Sequence, residues 1–175
     1  MSSLKLWLLD ADIIIDLLTL DVFEKLVRSH KIHVASIVIN EVKYCYKSDK
    51  KVTIDFRKQY IDTSLISELS ASPEEIKEVL SKLPSLQQQT LHLGELESLA
   101  ILVGKEDLKF CSCDAAIIRT LPFFDLSERG VSAERLLRMS GFTRSDLEVK
   151  HTEKYFKQNL DIGRERKILN FKSKQ

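Results

Sequence analysis

Apolar residues along this chain fall into short runs, each closed by an acidic or turn-forming position. Residues 4–9 (Leu-Lys-Leu-Trp-Leu-Leu) form one such run ending at Asp10, and the stretch from Ile13 to Leu26 is long enough for a helix. The pattern predicts strand, turn, helix. Lys31 to Ala35 predicts a second strand, after which Ser36 is placed to cap a helix running through Ile39, Glu41 and Tyr44. Ser72-Pro73-Glu74-Glu75 is a stronger start signal, with Ser at the cap, Pro at the first helical position and Glu three residues past the cap; it predicts a helix to about Leu83.

Gly94 to Val103 predicts a helix apolar on most sides, which belongs in an interior. Lys109 to Cys113 reads as a strand and Asp114 opens a helix over Ala115 to Leu121. Ser132 caps a helix ending near Gly141, and Thr143 with Asp146 predicts a further cap. Strands alternate with helices, with no hairpin signal, internal repeat or linker. That order predicts an α/β fold, a three-layer α/β/α sandwich with a central, mostly parallel sheet.

Composition narrows the class. With 175 residues, 43% hydrophobic and 30% charged, the chain suits one globular core and is too short for two ordinary domains. Asp10, Asp12, Asp16 and Asp21 interrupt the most apolar stretch, so neither a membrane span nor a signal peptide is expected there, and the expected location is cytoplasmic. Cys45, Cys111 and Cys113 cannot all pair, and Cys-x-Cys alone supplies too few zinc ligands, so packed, reduced thiols are expected. The four histidines, His30, His33, His92 and His151, show no metal-ligand spacing. Charge is unevenly spread: from Lys150 onward eight basic residues face three acidic ones, and the body before them is mildly acidic. Such a tail is either a solvated terminus or a contact for a polyanion.

The candidate chemistry lies in the acids. Asp10 and Asp114 each stand at the carboxyl end of an apolar strand just before a helix, the edge where parallel α/β sheets bind ligands; each would also serve as an N-cap. Glu41 lies four residues from Ile37 and Cys45, and Glu97 four from Leu93 and Ile101, so each sits on an apolar helical stripe. Two carboxylates about 5 Å apart repel by about 3 kcal/mol at an effective dielectric near 20. A hard divalent cation such as Mg²⁺ or Mn²⁺ would offset that repulsion.

In order and spacing, Leu8-Leu9-Asp10-Ala11-Asp12-Ile13, Ile37-Val38-Ile39-Asn40-Glu41-Val42, Gly94-Glu95-Leu96-Glu97-Ser98-Leu99-Ala100 and Ser112-Cys113-Asp114 resemble the successive acidic motifs of PIN domains. The resemblance implies a PIN-like nuclease domain over residues 1–148, with a basic C-terminal extension over 149–175. Asp10, Glu41 and Asp114 match the first, second and fourth acids of the family. Glu97 is the preferred match for the third, with Glu95 as its alternative, while Asp12 and Ser112 match secondary polar positions.

What the resemblance implies is an Mg²⁺- or Mn²⁺-dependent endoribonuclease with Asp10, Glu41, Glu97 and Asp114 as its catalytic and metal-binding residues. In VapC-type members it extends to the toxin of a toxin–antitoxin pair, a homodimer inhibited by an antitoxin protein. Lys43, Lys47, Arg119, Arg135 and Arg138 are the candidate contacts to the RNA backbone. Two other readings stand beside this one: a PIN-like module that binds RNA or protein without cutting, and a haloacid-dehalogenase-type phosphatase using Asp10 as nucleophile. The second is disfavoured, because that motif requires Gly and Thr or Ser where this chain has Ile13 and Ile14.

Overall fold

A computed structural model describes residues 6–173; Leu4 and Lys5 of the first predicted strand and the last two residues of the tail lie outside them. The central sheet has five strands, β1 (Leu6–Leu9), β2 (Lys31–Ala35), β5 (Ser67–Leu69), β6 (Lys109–Cys111) and β7 (Gly130–Val131), in the order β5-β2-β1-β6-β7. All four pairings are parallel. Helices flank the sheet, giving the three-layer α/β/α sandwich. A strand covered on both faces has no solvent side, and β1 accordingly buries Trp7, Leu8 and Leu9 completely instead of alternating.

The order of strands fixes where a crevice opens. From β1 the chain moves outward to β2 and then β5, and afterwards crosses back to β6 and β7 on the opposite side of β1. The switch point therefore lies between β1 and β6, and loops leaving their carboxyl ends part there. Register pairs Leu9 with Cys111, so Asp10 and Ser112 come next on adjacent strands.

Helix α1 (Ala11–Thr19) and α2 (Phe23–Ser29) divide what the apolar pattern predicted as one helix, because Asp21 takes a left-handed φ of 60° between them. Helix α3 (Ser36–Glu41) is shorter than predicted: Ala35 is its cap, the Ser36 hydroxyl donates to the Leu69 carbonyl instead, and Tyr44 belongs to a strand. That strand, β3 (Tyr44–Lys47), pairs antiparallel with β4 (Lys50–Thr53) as a separate two-stranded ribbon, a hairpin the sequence reading did not predict. Its turn is carried by Ser48 and Asp49, both at positive φ, the geometry a tight hairpin needs.

The capping box predicted at Ser72 is present and opens α4 (Pro73–Lys82): Ser72 Oγ accepts from Glu75 N–H and Glu75 Oε2 from Ser72 N–H. Then come α5 (Ser85–Thr90) and α6 (Leu93–Gly104), the latter buried over most of its length as its composition predicted. Helix α7 (Ala115–Thr120) starts at the Asp114 cap and α8 (Ala133–Met139) at the Ser132 cap.

Thr143 and Asp146 begin no helix; Asp146 instead pairs with Arg144, whose guanidinium also donates to the Leu20 carbonyl. After a single 3-10 turn at Val149–His151 comes α9 (Glu153–Lys172), capped by Thr152. It buries Phe156, Asn159, Leu160 and Gly163, one stripe at helical spacing, and lies against α7 so closely that a Cβ on Gly163 would run into the Arg119 carbonyl. The three cysteines are free and buried, as expected. Among the described residues no helix is long and apolar enough to cross a membrane.

Candidate active site

At the switch point the two strand-end aspartates are joined through one hydroxyl. Ser112 Oγ donates to Asp10 Oδ2 at 2.9 Å and accepts the Asp114 N–H at 3.0 Å. Asp10 Oδ1 accepts its neighbour Ala11 N–H, and Asp114 Oδ1 accepts Ala116 N–H, so each acid also caps the helix that follows it. The cap reading of both acids is therefore met, and the same bonds hold them side by side at the switch point. Asp10 is only 5% exposed.

Around them opens a cleft of about 370 Å³ lined by Asp10, Asp12, Glu41, Glu95, Asp114, Ala11, Ile15, Tyr44 and His92. Glu41, at the last residue of α3, reaches the first turn of α6. A Cβ on Gly94 would stand 2.8 Å from Glu41 Oε1, so the carboxylate occupies space that only a glycine leaves. The helix start also favours a negative charge there. Glu95, one residue on, accepts His92 N–H at 2.7 Å through Oε2 and faces the cleft.

Glu97, the preferred third acid, is placed elsewhere. It is buried, and its Oε2 accepts the Ile37 N–H at 2.8 Å, which satisfies an orphan donor at the start of α3. Helix phase explains the difference: residues 95 and 97 are separated by about 200° around the axis, so they cannot share a face. Glu95 takes the cleft and Glu97 the interhelical contact.

Crowding of carboxylates shows in their acidity. Burial, with the negative charges of Asp12 and Asp114, pushes Asp10 up to about 6 against the opposing bonds from Ser112 and Ala11. Burial, reinforced by Asp114, Asp10 and Glu41, pushes Glu95 up to about 8 despite its bond from His92. Glu41 is raised by burial and by Asp12 and Glu97, with His92 opposing. The five carboxylates of the lining offer oxygen donors, the kind Mg²⁺ and Mn²⁺ take, with the His92 ring beside them.

A second cluster lies beside the cleft. Among the described residues, the group of three potential ligands gathered most tightly is Asp16, Cys113 and His151, with ligand atoms within 4.8 Å of one another. Its protons identify its present role. His151 Nδ1 accepts the Glu148 N–H, which leaves the proton on Nε2 to be donated to Asp16 Oδ2 at 2.7 Å. Lys150 Nζ meets the same oxygen at 2.8 Å. Burial works to raise Asp16, but the bonds from His151 and Lys150 outweigh it and hold the carboxyl low, whereas burial raises the Cys113 thiol. Asp16, His151 and Lys150 form a satisfied network that fastens residues 149–151 to α1.

The proposed RNA contacts are dispersed. Lys43 is exposed beside the cleft residue Tyr44. Lys47 is engaged by Asp21 and the Leu18 carbonyl, Arg119 by Asn159, and Arg138 by Glu153. Arg135 lines a different cavity with Glu153 and Asp161. Sequence reading missed Tyr44 and His92. The signal for His92 was its place before a Gly-Glu helix start, and the signal for Tyr44 was the aromatic alternation Tyr-Cys-Tyr ahead of Ser48-Asp49.

Comparison with protein-family models, with curated proteins and with solved structures finds no match.

Proposed function

We propose that this chain is a PIN-like, Mg²⁺- or Mn²⁺-dependent ribonuclease. The observation that carries the reading is the Asp10–Ser112–Asp114 link at the sheet's switch point, with Glu41 and Glu95 lining the same cleft. A bound divalent ion there would lower the pKa of water and neutralise charge on a phosphodiester.

The chain's own residues have separable tasks in this reading. Ser112 fixes the Asp10 carboxylate by donating to Oδ2, and the Asp114 N–H fixes Ser112 in turn, so the two strand ends are tied to each other. Asp10, Asp114, Glu41 and Glu95 are the proposed ligands, Glu95 replacing Glu97. Burial and the neighbouring carboxylates raise the pKa of Glu95 to about 8 in the metal-free cleft, and a bound cation would favour the deprotonated form that ligates it. No protein nucleophile is required.

The test is cleavage of a single-stranded RNA in Mn²⁺ by the intact chain, by Asp10→Asn and by Asp114→Asn. Loss of at least about a hundredfold in both variants is expected, as is typical for removing a group that orients or stabilises the reacting atoms. Unchanged cleavage in both removes the assignment. Binding without any cutting by the intact chain would favour a PIN-like binding module. The toxin role, with an antitoxin partner, a homodimer and a cytoplasmic site of action, rests on the resemblance alone. Its test is growth arrest on expression that Asp10→Asn relieves.

A further inference from the structure

The ribonuclease reading leaves one problem: the cleft is walled by five carboxylates, and a polyanion must settle in it. Divalent ions answer this only at the phosphate they touch. The neighbouring nucleotides need a contact that does not depend on matching charge.

The β3–β4 hairpin supplies such a contact. Tyr44 and Tyr46 are two residues apart on β3 and so share one face, while Cys45 between them is buried on the other. Their rings meet edge to face with centroids 5.7 Å apart. Tyr44 lines the acidic cleft, and Tyr46, 43% exposed, continues the aromatic surface outward from it. Directly across the ribbon from Tyr46 stands Lys51, whose Nζ lies 3.9 Å from the centroid of the Tyr44 ring. Lysine is a flexible and strongly hydrated cation. The Tyr44 face under Lys51 carries an exposed, flexible cation, and a planar group can take that face once the ammonium finds another partner.

We propose that the Tyr44 ring, with the Tyr46 ring standing at right angles beside it, is a stacking subsite for an unpaired nucleobase next to the bond to be cut, and that Lys51 leaves the Tyr44 ring for an adjoining phosphate when the base arrives. The inference deepens the ribonuclease reading and rests on it for the identity of the ligand. Stacking is neutral, so the acidic wall does not oppose it. It also sets the substrate class: bases held inside a duplex cannot present a face, whereas single strands and loops can. Sequence preference from such a platform is weak, because every base has a π-face.

The experiment uses the full chain carrying Asp114→Asn to suppress cutting, and a short single-stranded RNA with 2-aminopurine at one position. Stacking quenches the fluorophore, so titration reads affinity and stacking separately. Tyr44→Ala should weaken binding between about fivefold and a hundredfold and abolish the quench, while Tyr44→Phe retains both. Lys51→Gln should reduce the salt dependence by about one phosphate contact and leave the quench. The same sequence as a duplex should give none.

Binding and quenching unchanged in both Tyr44→Ala and Tyr46→Ala would overturn the proposal. Cleavage by the otherwise intact chain, measured in parallel in Mn²⁺, tells the two readings apart. Cleavage indifferent to Tyr44→Ala sinks the platform and leaves the nuclease. Tyr44-dependent quenching without cleavage does the reverse. Thermal melting of each variant checks folding, and Tyr44→Phe excludes a merely structural effect.

Discussion

Glu97 and Ile37 are joined across 60 residues by one hydrogen bond, in which the Glu97 carboxylate accepts the Ile37 N–H at 2.8 Å. The bond fastens the start of α3 to the middle of α6, and α3 is the helix that ends at Glu41. Glu97 thus bears on the cleft by positioning α3 and through its charge, which helps raise Glu41. Glu97→Gln is expected to keep the shape but weaken the acceptor, and Glu97→Ala to leave a buried N–H orphaned, costing about 1–3 kcal/mol. Glu95→Gln should instead abolish most RNA cleavage with no loss of thermal stability. Chemical denaturation and cleavage rates measured on the same preparations decide it; the reverse pattern would return the third position to Glu97.

Acidity gives a second prediction, with a definite sign. Asp10 is raised to about 6 and Glu95 to about 8 in the folded chain. Unfolded carboxyls titrate near about 4, so between about pH 4 and these values the folded state binds protons that the unfolded state has released. Stability of the metal-free protein therefore falls as pH rises from about 4, with the Asp10 part of the loss complete near 6 and the Glu95 part continuing to near 8. At pH 8 the Asp10 contribution is a loss of about 3 kcal/mol, and Asp10→Asn should recover part of it. Mn²⁺ should stabilise more at pH 8 than at pH 5, because only deprotonated carboxylates bind it. Melting curves with EDTA and with Mn²⁺ across this range supply the check. A metal-independent profile would contradict the cleft as a cation site.

What the sequence disclosed follows from the range of each signal. Asp10 and Asp114 were legible because a strand end followed at once by a helix is a local pattern. So were the Ser72 capping box and the apolar α6. The choice between Glu95 and Glu97 was not, since it depends on which face of α6 meets α3, a tertiary fact. The hairpin escaped notice because its turn, Ser48-Asp49, lacks the glycine that usually marks two positive φ angles, and because Ile39 to Tyr44 continued a helical pattern. Helix α9 was hidden by its polarity: the buried stripe is Phe156, Asn159, Leu160 and Gly163, two of which are not hydrophobic in the ordinary sense. Asn159 is there to accept from Arg119, and Gly163 to let the two backbones close.

Gly94 permits a sharper test of the cleft than any ligand substitution. A Cβ there would meet both oxygens of Glu41 first, and these are the end of a side chain able to swing away. Gly94→Ala should therefore fold with stability near that of the parent, since Ala also suits a helix better than Gly by roughly 1 kcal/mol. Cleavage should nevertheless fall by about tenfold or more, as expected when a ligand is misplaced by about 1 Å. Parent-like cleavage by a well-folded Gly94→Ala protein would show that Glu41 is not engaged at the site.

The Asp16–His151–Lys150 network yields a prediction that separates clamp from chemistry. Asp16 is held low by His151 and Lys150, so its contribution to stability is present above about pH 4, the unfolded value, and disappears as pH falls through the depressed folded one. His151→Ala removes the donor at 2.7 Å and the acceptor for Glu148 N–H together, and should cost about 1–3 kcal/mol. Because residues 149–151 lead directly into α9, the loss should appear as faster hydrogen exchange over Glu153 to Leu160 before any global unfolding. Cleavage per folded molecule should stay at the parent level. If His151→Ala or Cys113→Ser abolished cleavage in protein shown to be folded, the trio would belong to the catalytic centre, and the division between acidic cleft and neighbouring clamp would have to be redrawn.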